Sequence, residues 1–271
     1  MTDHDELRRT LEFYRDLGIR ELYVRAMPVG LAAPPAVEPA LIRTPAAASQ
    51  PSPVEALAPV KAEPRVVASV PPSPLPSMAP ENDSLPRILE DIGDCTRCKL
   101  HRGRTKLVFG SGDPQTKLVF VGEGPGADED AQGLPFVGRA GQLLTQMIEG
   151  TASKEGIPIK RPDVYICNVV KCRPPENRTP EPDEMQTCGQ FLFRQLMTIQ
   201  PRAICAMGST AAKALLGTKE GVTKLRGRWH KWHEIPLMVT YHPSYLLRAY
   251  NVAAKREAWE DLKKVLHFVY D

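Results

Sequence analysis

Four short apolar runs constrain the fold of this 271-residue chain more than any other feature of its sequence. The runs cover residues 117–123, 163–170, 203–207 and 237–241. Stretches with helical spacing of apolar residues separate and follow them, at 141–149, 182–199, 209–216 and 251–270. Strands that alternate with helices are typical of a parallel sheet covered by helices on both faces. We therefore predict an α/β fold, a three-layer sandwich around a central four-stranded parallel sheet.

Proline divides the chain into a tail and a folded part. Fourteen of the 27 prolines lie between residues 27 and 83, in a tract that is also rich in alanine and serine. Such a segment buries too little apolar surface to offset the entropy of ordering it, so we predict a disordered linker over 27–83. Residues 84–271 then form the folded domain, with a net charge of +6 against +3 for the whole chain. This mild basic excess suits a phosphate-bearing partner without singling one out.

The first 26 residues form a third segment. Apolar residues recur at helical spacing from 3 to 25, which predicts one amphipathic helix. The helix either packs on the folded domain, pairs with itself or docks on a partner protein, and the sequence leaves these interpretations open. The N-terminus is acidic with no apolar signal core, and the chain has no run of eighteen apolar residues. We therefore expect a cytoplasmic protein with no membrane span.

Cysteines indicate a metal site. Four of the six lie in predicted loops or near a helix start, and they are Cys95, Cys98, Cys172 and Cys188. The first two form a Cys-x2-Cys pair, which lets two thiolates from one turn reach the same metal. Cys167 and Cys205 lie within apolar strands, where free cysteine behaves as a small buried hydrophobe. Zinc and iron–sulfur clusters both accept four thiolates, so the spacing alone does not choose the metal.

A glycine-rich turn, Gly122-Glu123-Gly124-Pro125-Gly126, follows the first apolar run. Gly124 and Gly126 let the backbone approach a ligand closely and point N–H groups at it. The turn is not a Walker A loop, because no Gly-Lys-Ser/Thr follows, and it lacks the dinucleotide-binding spacing. A nucleoside triphosphate site is therefore disfavoured. Glu123 either orients water and base groups or belongs to an acidic turn at a helix start.

Polar residues also stand at the ends of the second and fourth predicted strands. Asn168 interrupts an apolar strand, where a buried amide either binds the backbone or reads a ligand such as the paired edge of a pyrimidine. Its place at a strand end favours the ligand. His242 follows the fourth strand, where it can donate to a developing anion. Phe136, in a loop, is either core or a stacking surface for a planar ligand.

Basic residues near these loops indicate a contact with phosphate. Arg173 and Arg226 lie in two basic loops, and Arg248 follows the apolar pair Leu246-Leu247. Two such loops at one sheet edge would suit a nucleic-acid backbone, and the apolar pair could enter a duplex. Solvated loop charges are the alternative for each arginine.

Together the motifs resemble those of the family 4, iron–sulfur uracil-DNA glycosylases. The resemblance runs from about residue 85 to the C-terminus and rests on four segments in the family's order, at 122–126, 135–141, 168–175 and 242–244. It implies hydrolysis of the bond between uracil and deoxyribose after the nucleotide is flipped out of single- or double-stranded DNA. It also implies a structural [4Fe–4S] cluster on the four cysteines.

The same resemblance implies roles for individual residues. Glu123 would activate or position water, and His242 would stabilise negative charge on the departing base. Contacts with the base are implied for Gly124 through its backbone, for Phe136 by stacking, for Asn168 at the polar edge, and for Glu129 near the position of a thymine methyl. Leu246 would be the wedge that fills the gap left by the flipped nucleotide, with Arg248, Arg173 and Arg226 on phosphates.

The chain departs from the better-known uracil glycosylases at two positions. They carry aspartate at the position of Gly124 and tyrosine at that of Gly126, which leaves the water-activating group open. One rival is a lesion binder that traps uracil covalently, but its reactive histidine has no counterpart in 173–179. Another is an inactive, uracil-DNA-binding scaffold that works through residues 1–26, against which the intact catalytic set argues. We expect a monomeric, nucleoid-associated repair enzyme.

Overall fold

The computed structural model describes residues 80, 82–248 and 251–271. The helix predicted at 3–25 and nearly all of the linker predicted over 27–83 lie outside the described residues. The folded part begins with helix α1 (Leu85–Ile92), whose cap residue Ser84 accepts a hydrogen bond from the backbone N–H of Arg87. A proline in the first turn and this cap set the start of the helix.

Six strands form one mixed sheet in the order β1-β3-β2-β4-β6-β5. They are β1 (Ser111–Gly112), β2 (Leu118–Gly122), β3 (Tyr165–Asn168), β4 (Ala203–Met207), β5 (Trp229–Trp232) and β6 (Ile235–Thr240). The four inner strands pair in parallel, as predicted, and they consist almost entirely of apolar residues, which is typical of strands covered on both faces. The two edge strands, β1 and β5, are antiparallel and were not predicted. Strand β1 has only two residues, and β5 is largely exposed.

Helices cover both faces of the sheet. After α1 they are α2 (Ala127–Gln132), α3 (Arg139–Lys154), α4 (Pro182–Ile199), α5 (Ser209–Leu216), α6 (Val222–Leu225), α7 (Pro243–Leu246) and α8 (Val252–Tyr270), with short 3-10 turns at Lys99–Gly103, Arg161–Asp163 and Pro175–Asn177. Alternate residues of β2 enter two separate cores. Val119 and Val121 pack with α1, α4 and α5, whereas Leu118 and Phe120 pack with α3 and α8. The predicted three-layer sandwich is confirmed.

The parallel register places the carboxyl ends of the inner strands along one edge. Gly122 of β2 pairs with Asn168 of β3, and Met207 of β4 pairs with Thr240 of β6. Ligands of open α/β sheets collect at this edge, so the residues that follow each strand define where to look for a site. Among the described residues, no helix combines the length and apolarity needed to cross a membrane.

Candidate active site

A cavity of about 300 Å³ opens at the carboxyl edge of the inner strands. The residues that line it come from four separate segments of the chain. Those predicted from the sequence are Glu123, Gly124, Glu129, Phe136, Asn168 and His242. The sheet topology therefore brings together side chains that lie as far as 119 positions apart in the sequence.

Glu129 fastens the glycine turn to the loop that carries Phe136. Its carboxylate accepts hydrogen bonds from the backbone N–H groups of Gly126 (3.1 Å), Val137 (2.9 Å) and Gly138 (2.9 Å). A side chain at position 126 would meet Glu129 Oε2 at 2.8 Å, so the carboxylate could keep its present position only if it faces glycine there. Charge-assisted bonds to three backbone donors make this wall of the cavity rigid.

Phe136 stands in a strained backbone conformation. Its φ is +53°, a region that bulky residues avoid, and its side chain is 6% exposed. Its ring lies 5.6 Å from the ring of His242, tilted by 37°. The half-buried guanidinium of Arg161 holds the loop by donating to the carbonyl of Pro135 (2.8 Å), and a side chain at Gly141 would come within 1.8 Å of the Phe136 carbonyl. Such strain persists where the surroundings fix it, commonly at functional sites.

Asn168 presents an acceptor that the protein does not satisfy. The residue is 1% exposed, it lines the cavity, and its Oδ1 atom has no hydrogen-bond partner. Leaving a buried acceptor unpaired costs about 1–3 kcal/mol. A ligand that donates an N–H to this oxygen would recover that free energy.

His242 is held as a neutral imidazole. The backbone N–H and the hydroxyl of Ser244 both donate to its Nδ1 atom, at 3.2 and 2.8 Å. With Nδ1 acting as an acceptor, the ring proton lies on Nε2. Burial lowers the pKa of His242 to about 4, which favours the same neutral form. The site therefore offers one imidazole N–H to the cavity.

Glu123 is half-buried at the end of β2, and one of its oxygens is engaged. The hydroxyl of Thr210, a buried residue in the first turn of α5, donates to Glu123 Oε2. This contact orients the carboxylate and leaves Oε1 for another donor. A carboxylate with one fixed and one free oxygen can hold a water molecule in a defined direction.

Four cysteines surround a second, smaller cavity next to helices α1 and α4. They are Cys95, Cys98, Cys172 and Cys188, and apolar residues such as Ile92 and Phe191 complete the wall. Arg104 donates to Cys172 Sγ at 3.2 Å, and the backbone N–H of Lys171 donates to Cys188 Sγ at 3.2 Å. The two remaining cysteines, Cys167 and Cys205, are 0% exposed within strands, as predicted.

Buried cysteines of this cavity can become thiolates only beside a positively charged group. Burial raises the pKa of Cys188 to about 12 and also raises that of Cys98 and of Cys172. Their thiolates are therefore favoured only when a metal neutralises them. Among the described ranges, no three His, Cys, Asp or Glu side chains are placed to hold one metal ion. A single zinc ion would need its sulfur ligands within roughly 4 Å of each other, since Zn–S bonds are about 2.3 Å long.

Comparison with known proteins identifies the family. The model of the uracil DNA glycosylase superfamily matches residues 109–263. A type-4 uracil-DNA glycosylase of Thermotoga maritima is 47% identical over 184 residues, which cover 67% of this chain and 93% of that protein. Type-4 enzymes of Sulfurisphaera tokodaii and Archaeoglobus fulgidus are 43% and 39% identical, over 68% of this chain and 84% and 92% of theirs. The chain belongs to the type-4 uracil-DNA glycosylases.

Two of the residues predicted to contact DNA make contacts within the protein in this type-4 glycosylase. Leu246 is 1% exposed and packs into the core with α3 and α8, whereas its neighbours Tyr245 and Leu247 are exposed; its role as the wedge stays a prediction. The guanidinium of Arg226 forms a bidentate pair with buried Asp261, at 2.8 and 3.0 Å, so a phosphate would have to compete with this carboxylate.

The other two predicted phosphate contacts remain near the surface. Arg173 is half-buried and donates to Asn177 Oδ1 at 2.8 Å. Arg248 is exposed, and its guanidinium lies 5.9 Å from the centre of the Tyr245 ring. Both are placed where a polyanion could reach them.

Three residues of the site were missed in the sequence. Thr210 orients Glu123, Ser244 fixes the tautomer of His242, and Arg161 clamps the loop of Phe136. The sequence offered a signal for the first two as site residues. Thr210 comes shortly after strand β4, at the edge where ligands bind, and Ser244 belongs to the His-Pro-Ser segment. No local pattern marks Arg161, because its role depends on a loop that lies 20 or more residues earlier.

Proposed function

We propose that this protein removes uracil from DNA by hydrolysing the N-glycosidic bond of a flipped nucleotide, leaving an abasic site. One observation carries the proposal: the unpaired, buried Oδ1 of Asn168 lines the same cavity as the N–H of a neutral His242. Uracil carries an N–H flanked by two carbonyl oxygens, so it offers a donor to the first group and an acceptor to the second. The family membership given above supports the same activity.

Recognition of the base falls to Asn168 and Phe136. Asn168 Oδ1 accepts from the N3–H of uracil, and the ring of Phe136 stacks on the planar base. Glu129 lies next to Gly126, where its carboxylate fills space and fixes the turn. We assign to this wall the exclusion of the thymine methyl group. The backbone at Gly124 completes the contact with the base.

Bond cleavage transfers an electron pair to the base. As the C1′–N1 bond breaks, the pair spreads over the uracil ring and its O2 atom, and the Nε2–H of His242 donates to that oxygen. A neutral donor stabilises a delocalised anion without forming a strong acid beside it. Glu123, held by Thr210 through Oε2, orients water with Oε1 towards the sugar carbon. The water oxygen bonds to C1′ and its proton leaves to the carboxylate or solvent.

The four cysteines are proposed to hold a [4Fe–4S] cluster. Burial raises the pKa of Cys98, Cys172 and Cys188, so a metal is needed to hold them as thiolates, and the likeness to type-4 enzymes supports an iron–sulfur cluster. The cluster would supply a covalent cross-link between the segment after α1, the segment after β3 and α4. Since Cys172 lies four positions after Asn168, the same cross-link anchors the strand end that reads the base.

The organisation of the whole chain is also a proposal. We propose residues 84–271 as the glycosylase domain, 27–83 as a linker and 1–26 as a helix that binds a partner protein. The proline content of the linker and the helical pattern of the N-terminus support this division. We propose a monomer that works on uracil in single- and double-stranded cellular DNA, with exposed Arg248 and half-buried Arg173 near the backbone.

A uracil-release assay tests the proposal. The full chain is incubated with single-stranded or duplex oligonucleotides that carry one uracil, with thymine in a matched control, and abasic sites are cleaved by alkali. We expect cleavage at uracil alone, strong loss in Asn168→Ala and wild-type rates in Lys213→Ala, an exposed position on α5. Intact uracil strands that nevertheless bind tightly would favour the inactive scaffold instead.

A further inference from the structure

Lys171 is a buried lysine with no acidic partner. The residue is 1% exposed, although it begins a segment that has the sequence of a basic loop. The Nζ atom donates to the backbone carbonyl of Asn168 (2.8 Å) and to Oε1 of Gln195 (2.6 Å). Within the part of the chain that the structure describes, no carboxylate forms an ion pair with it. Lysine is almost never fully buried without a partner, so this arrangement needs a cause.

The backbone of the same residue contacts the cysteine cavity. The N–H of Lys171 donates to Cys188 Sγ (3.2 Å), and Cys172 is the next residue. Lys171 thus contacts a cysteine through its backbone and the base-binding strand end through its side chain. No other described residue is seen to hydrogen-bond both a cysteine sulfur of this cavity and Asn168.

Gln195 fixes the side chain of Lys171 from the other side. Its Nε2 donates to the carbonyl of Phe109 (3.1 Å) and to the hydroxyl of Tyr165 (3.2 Å). Because both amide donors are used, Oε1 must point to Lys171. A buried hydrogen-bonded network of this kind restricts the position of each member. The Nζ atom, and with it the carbonyl of Asn168, has little freedom to shift.

We propose that Lys171 is a positioning residue that couples the cysteine cluster to uracil recognition by fixing Asn168. The inference rests on the proposed function, in which Asn168 reads the base and the four cysteines hold a cluster. Thiolate ligands would bring negative charge near Lys171, which favours its ammonium form against the burial that lowers the pKa of this lysine. The ammonium in turn anchors the strand end by its bond to the Asn168 carbonyl.

A purely structural lysine would act differently. It would change the stability of the domain without changing which base is preferred or the electronic state of the cluster. Two readouts separate these cases, namely the preference for uracil over thymine in binding and the reduction potential of the cluster. The potential of an iron–sulfur cluster depends on the charge near its sulfur atoms.

The test uses Lys171→Met in the full chain, since methionine replaces the apolar stem of the lysine side chain and removes its donor. Binding is measured to DNA with a non-hydrolysable 2′-fluoro-deoxyuridine and to the matched thymidine strand. We expect the preference for uracil to fall about tenfold, which corresponds to one hydrogen bond from a charged group. Affinity for the thymidine strand and iron content should be unchanged, and the reduction potential should become more negative.

Controls keep the outcome decisive. Lys213→Met, at an exposed position, should match the wild type in every readout. Lys171→Gln, which is uncharged and shorter than lysine, serves if Lys171→Met does not fold. Wild-type preference and potential in the Lys171 variant would overturn the inference alone. A wild-type protein that neither binds nor releases uracil would instead overturn the proposed function.

Discussion

Replacing His242 by alanine tests the proposed chemistry most directly, because this side chain offers a single donor to the cavity. Both Ser244 groups occupy Nδ1, so only Nε2–H is lost on substitution. Removing one donor to a developing anion typically raises the barrier by about 3 kcal/mol, a rate loss of roughly 10²–10³. We therefore expect His242→Ala to slow uracil release by this factor while DNA affinity changes little.

The dependence on pH tests the neutral state of the same residue. Burial lowers the pKa of His242 to about 4, from an ordinary value of 6.5. As the pH falls, the unfolded chain therefore binds a proton on His242 before the folded chain does. The contribution of neutral His242 to the free energy of unfolding is complete above pH 6.5 and is lost as the pH falls towards 4. Single-turnover uracil release should show no step near pH 6.5 that belongs to His242.

The assay is single-turnover cleavage of a uracil oligonucleotide, with binding measured separately on a non-hydrolysable strand. His233→Asn is the matched control, because His233 is exposed and has a positive φ of 50° that asparagine tolerates. Two results would refute the reasoning. One is a loss of less than tenfold in His242→Ala; the other is a wild-type titration near pH 6.5 that disappears in that variant.

Three further substitutions test other contacts. Thr210→Val removes the donor to Glu123 and should slow release about tenfold with DNA affinity unchanged, whereas equal losses in both would point to misfolding. Cys172→Ala should lower iron content and the thermal unfolding midpoint, and full iron occupancy would contradict the assignment of this ligand. Arg226→Ala leaves Asp261 buried and unpaired, so urea unfolding should show a loss of about 3–5 kcal/mol. The salt dependence of DNA binding should not change, and a slope smaller by about one would restore Arg226 as a phosphate contact.

The inner sheet was predictable because its signal is local. Strands β2, β3, β4 and β6 are covered on both faces, so nearly every residue in them is apolar and the run itself marks the strand. Strand β5 has only one buried residue among aromatic and basic neighbours, and its sequence resembles a basic loop. Periodicity therefore identifies the core of the sheet and fails at its edges.

The placement of charged residues was not predictable, because it depends on partners far along the chain. Arg226 is fixed by Asp261, which lies 35 positions later, and Lys171 is fixed by Gln195, which lies 24 positions later. Neither partner belongs to the motif that drew attention to the basic residue. The two basic loops of the sequence thus contain one ion pair with a buried aspartate and one buried lysine side chain in the fold.

The candidate site was predictable where its shape depends on glycine. Glu129 accepts three backbone donors beside position 126, where an added Cβ would lie 2.8 Å from its carboxylate oxygen. Phe136 holds its positive φ beside Gly141, where an added Cβ would lie 1.8 Å from the Phe136 carbonyl oxygen. A carboxylate or a histidine alone occurs on any protein surface and indicates little. Glycines at fixed sequence distances from Glu129 and Phe136 are more informative, because they leave room for Glu129 and for the loop of Phe136. The glycine pattern of the sequence was therefore informative about this wall of the cavity before its other residues were placed.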